Sequence, residues 1–392
     1  LSDFKPKRDG IFGGDRTEDT ELKHYSNIAT CIRALLPLSS LRIPTIDNSL
    51  LSLLSLYYSR LHGDAGLEKL AYSTYTVALG QYSRLLTQFL SKVSEISTYA
   101  YQTFIYISIA MFEQLRTVAT QVIEHQPHLY GALNALQCCG PRLVQASLSM
   151  HKAFSGLRGV AVFAAIEHRE KMFLAEPDWL NIPFENIIKS MRDHLIDVGV
   201  HIPGLLRCSD IFFASITTEY TIQGVGAGLS LLGRVTDLQQ KLEAWLSMLK
   251  RTTSQPLYWS RNSPIAYESK HRDVECIPVC SNILHQICFL SGPIAGLLVD
   301  YWSFAIQISM ASIEIQQRLF SYVDQAPEQM LLRETLSHGL RKERELADGT
   351  AQLIIEAEPY ISSCFEGLTC LDSPLRHVAR YFKNTNASLS SV

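Results

Sequence analysis

An all-α fold, a large multi-helix array in two packed lobes, is what this sequence predicts. Three observations carry that reading. Apolar residues recur at three- and four-residue spacing over most of the chain, the period of a helix face. Val- and Ile-rich runs with period-two alternation and flanking turn dipeptides are missing, and the cluster of β-formers at Thr217–Gln223 is too short to build a sheet. With 392 residues the chain exceeds the ~250–300 at which one core usually stops growing, so two lobes are expected.

Residues 1–20 mix charges of both signs with Gly10, Gly13 and Gly14 and read as a flexible tail. An N-terminal helical lobe over 21–251 follows. Its first helix carries Leu22, Tyr25, Ala29, Ile32 and Leu36 and stops at Pro37. Asp47 is the expected N-cap of the next, whose Leu50, Leu51, Leu53, Leu54, Tyr57, Tyr58 and Leu61 predict an interior helix. Helices are then expected at about 66–91, 96–124, 128–139, 152–174, 184–198 and 227–250. Gly140-Pro141 should stop the third of these, because glycine relieves strain there and proline cannot continue the ladder. Trp179 should plug a junction between consecutive helices. Thr252 to Asp273 carries Pro256, Pro264 and four serines and reads as a loop. A C-terminal lobe over 274–385 holds helices at about 282–322, 327–346, 349–364 and 373–383, and residues 386–392 form a tail.

Composition narrows the function classes. Hydrophobic residues are 47% and charged residues 19% of the chain, which excludes an intrinsically disordered protein. Thirty-five basic against 38 acidic residues leave a formal charge of −3, so no global field draws the chain to nucleic acid, and direct DNA binding is not expected. Nine irregularly spaced cysteines do not make a disulfide scaffold and point to a reducing, nuclear or cytoplasmic setting. Two uncharged or nearly uncharged stretches, Ile96–Phe112 and Phe289–Ala311, approach the ~20 residues needed to span a bilayer. Their internal polar residues, with Pro293 and Asp300 in the second, predict buried helices and no membrane association.

Signatures of common chemistries fail. Gly224, Gly226 and Gly228 alternate, but no third glycine stands where the dinucleotide fingerprint needs it and no strand precedes them. There is no phosphate loop, nucleophile elbow or zinc-protease helix. Cys276, Cys280, His285 and Cys288 could supply four zinc ligands, yet their one-turn spacing among Ile277, Val279, Ile283 and Leu284 predicts buried helical cysteines. His125 and His128 are separated by Pro127. No metal and no cofactor are expected.

Lone charges on apolar helices are the acid-base candidates. Glu113 follows an uncharged run and must pair or take a raised pKa; Arg158 is a similar lone charge, and a buried Glu113–Arg158 ion pair is the first expectation, with a catalytic role second. Tyr301 and Trp302, beside Asp300, read first as a core stripe; with Tyr106 they are the candidates for lining a ligand pocket. Residues 341–345, with offset opposite charges, predict a solvated face.

Several segments then occur in a telling order. Phe112-Glu113 is followed by His128, Gly131-Ala132, Leu136 and Gly140-Pro141, by Phe154 with Arg158, and by Phe173-Leu174-Ala175 with Pro177, Trp179 and Pro183. His194-Leu195-Ile196-Asp197 leads to Ile202-Pro203-Gly204-Leu205-Leu206; Tyr301-Trp302, Ala351 through Tyr360, Gly367 and Pro374-Leu375 close the series. Over residues 21–385 this resembles the regulatory domain of fungal-specific transcription factors, the helical region that follows a binuclear zinc-cluster DNA-binding module. The six-cysteine cluster itself is not in these 392 residues, so it either lies upstream of Leu1 or has been lost. The resemblance implies the effector region of a fungal transcription regulator that binds a small apolar ligand or a coregulator protein, as a monomer or homodimer. A second expectation is a regulator-like helical fold recruited as a cofactor-independent cyclase or isomerase of an apolar metabolite, with Glu113 and Arg158 as acid-base groups.

Overall fold

The computed structural model describes residues 44–91, 126–146, 148–215, 221–260, 286–323, 330–362 and 367–389. The helix expected from Glu21, the 96–124 helix with Tyr106 and Glu113, and Cys276, Cys280 and His285 lie outside them. Among the described residues the chain is all-helical apart from one two-stranded ribbon. In order come α1 (Pro44–His62), α2 (Ala65–Ser91), α3 (Gln126–Cys139), α4 (Pro141–Ala146) and α5 (Leu148–His168). A corner follows, built from a 3₁₀ turn (Phe173–Ala175), α6 (Pro177–Asn181) and a second 3₁₀ turn (Ile182–Phe184). Then come α7 (Met191–Gly199), α8 (Ile202–Ser215), α9 (Ile222–Arg251), β1 (Tyr258–Ser260), β2 (Ile287–Phe289), α10 (Gly292–Val323), α11 (Met330–Ser362) and α12 (Gly367–Leu389).

Helix α10 is the hub. It packs on α9, α11, α12, α8 and α7, and residues from Ile294 to Val323 are buried on every side of it. By length and hydropathy α10 could cross a bilayer, but 78% of its most apolar window is covered by the protein's own helices. Its neighbours bury one stripe each. On α9 the buried residues are Val225, Gly228, Leu231, Val235, Leu238, Leu242, Trp245 and Leu249, spaced by three- and four-residue steps. On α11 the apolar ones are Leu336, Ala347, Ala351, Ile354, Ala357 and Ile361. One hydrophobic cluster runs from Ile46 on α1 through α3, α5 and α8–α10 to Tyr381 on α12, so the lobes expected on either side of 252–273 share a core.

Turn chemistry follows the residues. Gly140 has φ +76° and its N–H reaches back to the Leu136 carbonyl at 3.1 Å, a left-handed helix end that glycine adopts without Cβ strain; Pro141 then opens α4, where a missing N–H costs nothing. Ser190 and Asp193 cap α7 reciprocally: Asp193 N–H donates to Ser190 Oγ at 3.2 Å and Ser190 N–H to Asp193 Oδ2 at 3.1 Å. Thr221 caps α9 by accepting from the Gly224 N–H. Gly228 faces Leu319 so closely that a Cβ there would lie 2.5 Å from Leu319 Cδ2, which explains part of the glycine series as tight α9–α10 packing.

Several expected boundaries move. The second helix starts at Pro44 with Asp47 inside its first turn, and it is interior on one face only: Leu50, Leu53 and Leu56 are buried, Leu51 and Tyr58 exposed. The 152–174 helix ends at His168, and the 184–198 helix begins at Met191, because Pro177 and Pro183 each restart the chain in a short turn of their own. The 282–322 helix begins at Gly292, since Pro293 belongs in a first turn; Ile287–Phe289 instead pair as strand β2 with Tyr258–Ser260, inside the expected 252–273 loop. Cys288 is therefore a strand residue and not a helical one. The helices expected at 327–346 and 349–364 are one helix, α11: Gly349 costs ~1 kcal/mol of propensity, which burying Ala347, Ala351 and Ile354 outweighs.

Candidate functional site

Arg158 is the lone charge in the middle of α5, and its side chain is 1% exposed. One turn before it stands Phe154. The corner after α5 folds three aromatic rings against them: Trp179 meets Phe173 nearly perpendicularly at 4.8 Å between centroids and Phe154 at 5.9 Å, while Phe184 lies 6.1 Å from Phe154. The Arg158 guanidinium sits 5.4 Å from the Phe154 centroid and 5.2 Å from that of Phe184, so ring quadrupoles replace part of its lost hydration. Helix α7 supplies the counter-charges. Arg158 Nη2 donates to Asp197 Oδ1, and Asp193 Oδ1 stands 3.6 Å from Nη1. Asp197 also holds Lys189, whose Nζ is 2.6 Å from Oδ2 and 4.9 Å from the Phe184 ring.

Guanidinium N–H groups go unused in this cluster. Among the described residues Arg158 Nε and Nη1 and Arg192 Nη2 are buried with no hydrogen-bond partner, as are Ser155 Oγ and His151 Nε2, which can each donate or accept. Asp193 commits its Oδ2 to the cap and leaves Oδ1 3.6 Å from Arg158 Nη1, and Arg192 reaches Asp300 of α10 only at 3.6 Å. His151 lies edge-on to Phe184 at 5.0 Å, and burial holds its pKa below the usual imidazole range. Burial likewise raises the Asp300 carboxyl above the carboxylate range, against the pull of Arg192. An open groove reaches the outer side of this cluster, lined by Asn181, Phe184, Glu185, Asn186, Ile187, Ile188, Lys189 and His194.

A second, small cleft of about 40 Å³ lies between α10, α11 and α12. Met310 and Ile313 make its buried apolar part; Glu314, Gln317, Arg344, Asn384 and Thr385 carry its polar groups. Burial raises the Glu314 carboxyl pKa although Arg169 stands 3.5 Å away. Arg169 ends α5 at φ +53°, the left-handed conformation usual for glycine, and its Nε also holds Asp210 of α8 at 2.9 Å. Tyr381 donates to Asp348 Oδ1 at 2.6 Å and its pKa is pushed up to about 12, by burial first and that bond second.

Of the residues singled out from sequence, Arg158 is buried as expected of a paired charge, with Asp193 and Asp197 as its carboxylates among the described residues; Glu113 lies outside them, as does Tyr106. Tyr301 and Trp302 are not brought together on one wall. Tyr301 stacks on Trp245 at 5.6 Å, while Trp302 is core, perpendicular to Tyr258 at 5.4 Å and 6.1 Å from Phe289; neither lines the two clefts above. No group of three or more metal-binding side chains occurs among the described residues. Asp193 and Glu314 were not singled out. Both carried a signal: Ser190-x-x-Asp193 has capping-box spacing, and Glu314 is a lone charge on an apolar helix, the same criterion that marked Glu113. Comparison with family models, curated proteins and solved structures finds no match to this chain.

Proposed function

We propose that this chain is the effector region of a fungal transcription regulator, a helical module that binds a small molecule or a coregulator and passes that event on through its packing. One observation carries the reading. Residues from three separate blocks of the resemblance, Phe154 with Arg158, Phe173 with Trp179, and Asp197, meet in one cluster, where Arg158 spans an aromatic wall and an α7 carboxylate. Blocks that were only an order along the chain are thereby joined by contacts. The test is to fuse residues 1–392 to a heterologous zinc-cluster DNA-binding module in a fungal reporter strain. Reporter output should change with the fusion, and Trp179→Ala should abolish the change; output equal to that of the DNA-binding module alone refutes the proposal.

The enzyme reading keeps one observation in its favour, the Glu314 carboxyl raised by burial beside the apolar side chains Met310 and Ile313, a setting suited to proton transfer on an apolar metabolite. Under that reading wild type converts such a metabolite to an isomer or cyclised product and Glu314→Gln loses about 10²–10⁴-fold in rate without unfolding.

A further inference from the structure

We propose that the groove along residues 181–194 is a binding site for a small organic oxyanion, anchored by Lys189. This deepens the effector reading by naming a ligand class, and it rests on that reading only for the ligand's purpose.

The argument starts from hydrogen-bond demand. Behind the groove, Arg158 and Arg192 keep buried N–H groups without hydrogen-bond acceptors among the described residues: Asp197 uses both oxygens and Asp193 its Oδ2, while Asp193 Oδ1 and Asp300 stand 3.6 Å off. Buried donors of this kind cost free energy until an acceptor arrives. Asp197 is the acceptor in shortest supply, because it divides its two oxygens between Arg158 Nη2 and Lys189 Nζ. An oxyanion that takes Lys189 from the groove side frees Asp197 Oδ2 to turn toward Arg158, where a carboxylate and a guanidinium form a two-bond fork. In the exchange the entering anion takes the place of one Asp197 oxygen on Lys189 and brings its own charge, so the two cations that share Asp197 each gain a carboxylate or oxyanion of their own.

The walls fit such a ligand. Lys189 has an 81%-buried side chain pinned over the Phe184 ring, so it is held in place and not swinging in solvent. His194 and the Asn186 amide supply further polar groups at the same wall, and Ile187 and Ile188, the latter 91% exposed, offer apolar contact for an organic body. Glu185, the acid in the lining, is already held by the Gln145 amide.

The probe is 4-fluorobenzoate, followed by fluorine NMR on the purified full chain, with neutral 4-fluorobenzamide as its control. Benzoate should give saturable broadening that the amide does not, and excess inorganic phosphate should displace it. Lys189→Gln should weaken binding about tenfold or more, while Lys152→Gln, exposed on α5, should leave it unchanged; unaltered thermal melts show that both variants fold. Equal binding of the amide, wild-type affinity in Lys189→Gln, or no saturable binding overturns the site. Because no transcription is read, these outcomes stand apart from the reporter test: oxyanion binding with a silent reporter removes the effector reading and keeps the site.

Discussion

His377 on α12 should make this fold acid-sensitive in a way that can be isolated from every other group. Its ring is fully buried between α10 and α5, with Nδ1 2.7 Å from Ser303 Oγ and the Phe163 ring 6.1 Å away. Burial first, then the nearby Arg380 and Arg376, lower its pKa to about 3 from 6.5. Between those two values the unfolded chain binds a proton that the folded chain does not, so stability rises with pH there. The contribution is complete above about pH 6.5 and is lost as pH falls toward 3. At ~1.4 kcal/mol per pH unit the loss is about 2 kcal/mol at pH 5 and approaches about 5 kcal/mol at pH 3. The assay is urea unfolding of wild type and His377→Gln at pH 8, 6 and 5. His128, His151 and His201 are also shifted downward by burial and steepen both curves equally, so the difference between proteins reads His377 alone. Wild type should lose about 2 kcal/mol more than the variant between pH 8 and pH 5. Parallel curves would refute the reasoning, since they would mean that the imidazole can take up its proton inside the fold.

Trp179→Ala should cost about 3–5 kcal/mol, because Trp179 is 4% exposed between Phe154 and Phe173; an unchanged urea midpoint would place the ring outside the core. Asp197→Asn should lower stability by about 3–5 kcal/mol by leaving Arg158 with Asp193 alone at 3.6 Å, whereas Asp197→Asn combined with Arg158→Met should recover much of the loss, both read by thermal melts. Gly199→Ala puts a Cβ 2.6 Å from the fully buried Phe304 ring, so overpacking of about 1–3 kcal/mol should outweigh a helix-propensity gain of at most ~1 kcal/mol; a stabilised variant in differential scanning calorimetry would mean that Phe304 can move.

Helix content and the punctuation of the chain were legible in the sequence because both are local. The three- and four-residue recurrence along 222–251 is an apolar stripe whatever it packs against, and Gly140-Pro141 ends one helix and opens another by backbone sterics alone. That Arg158 needs a partner was equally legible, since a charge in an apolar helix cannot stay unpaired. Its two carboxylates among the described residues were not. Asp193 and Asp197 lie 35 and 39 residues away, and only the corner at 173–184, which folds α7 back along α5, brings them to the guanidinium. Proximity in three dimensions likewise separates Tyr301 from Trp302: adjacent residues on a helix point about 100° apart, so one stacks on α9 and the other enters the core beside β2. The lengths of α10 and α11 also required the fold. Propensity counts Gly349 as a break, but burial along a whole helix face exceeds that penalty, and the sum can be taken only once the neighbouring helices are in place.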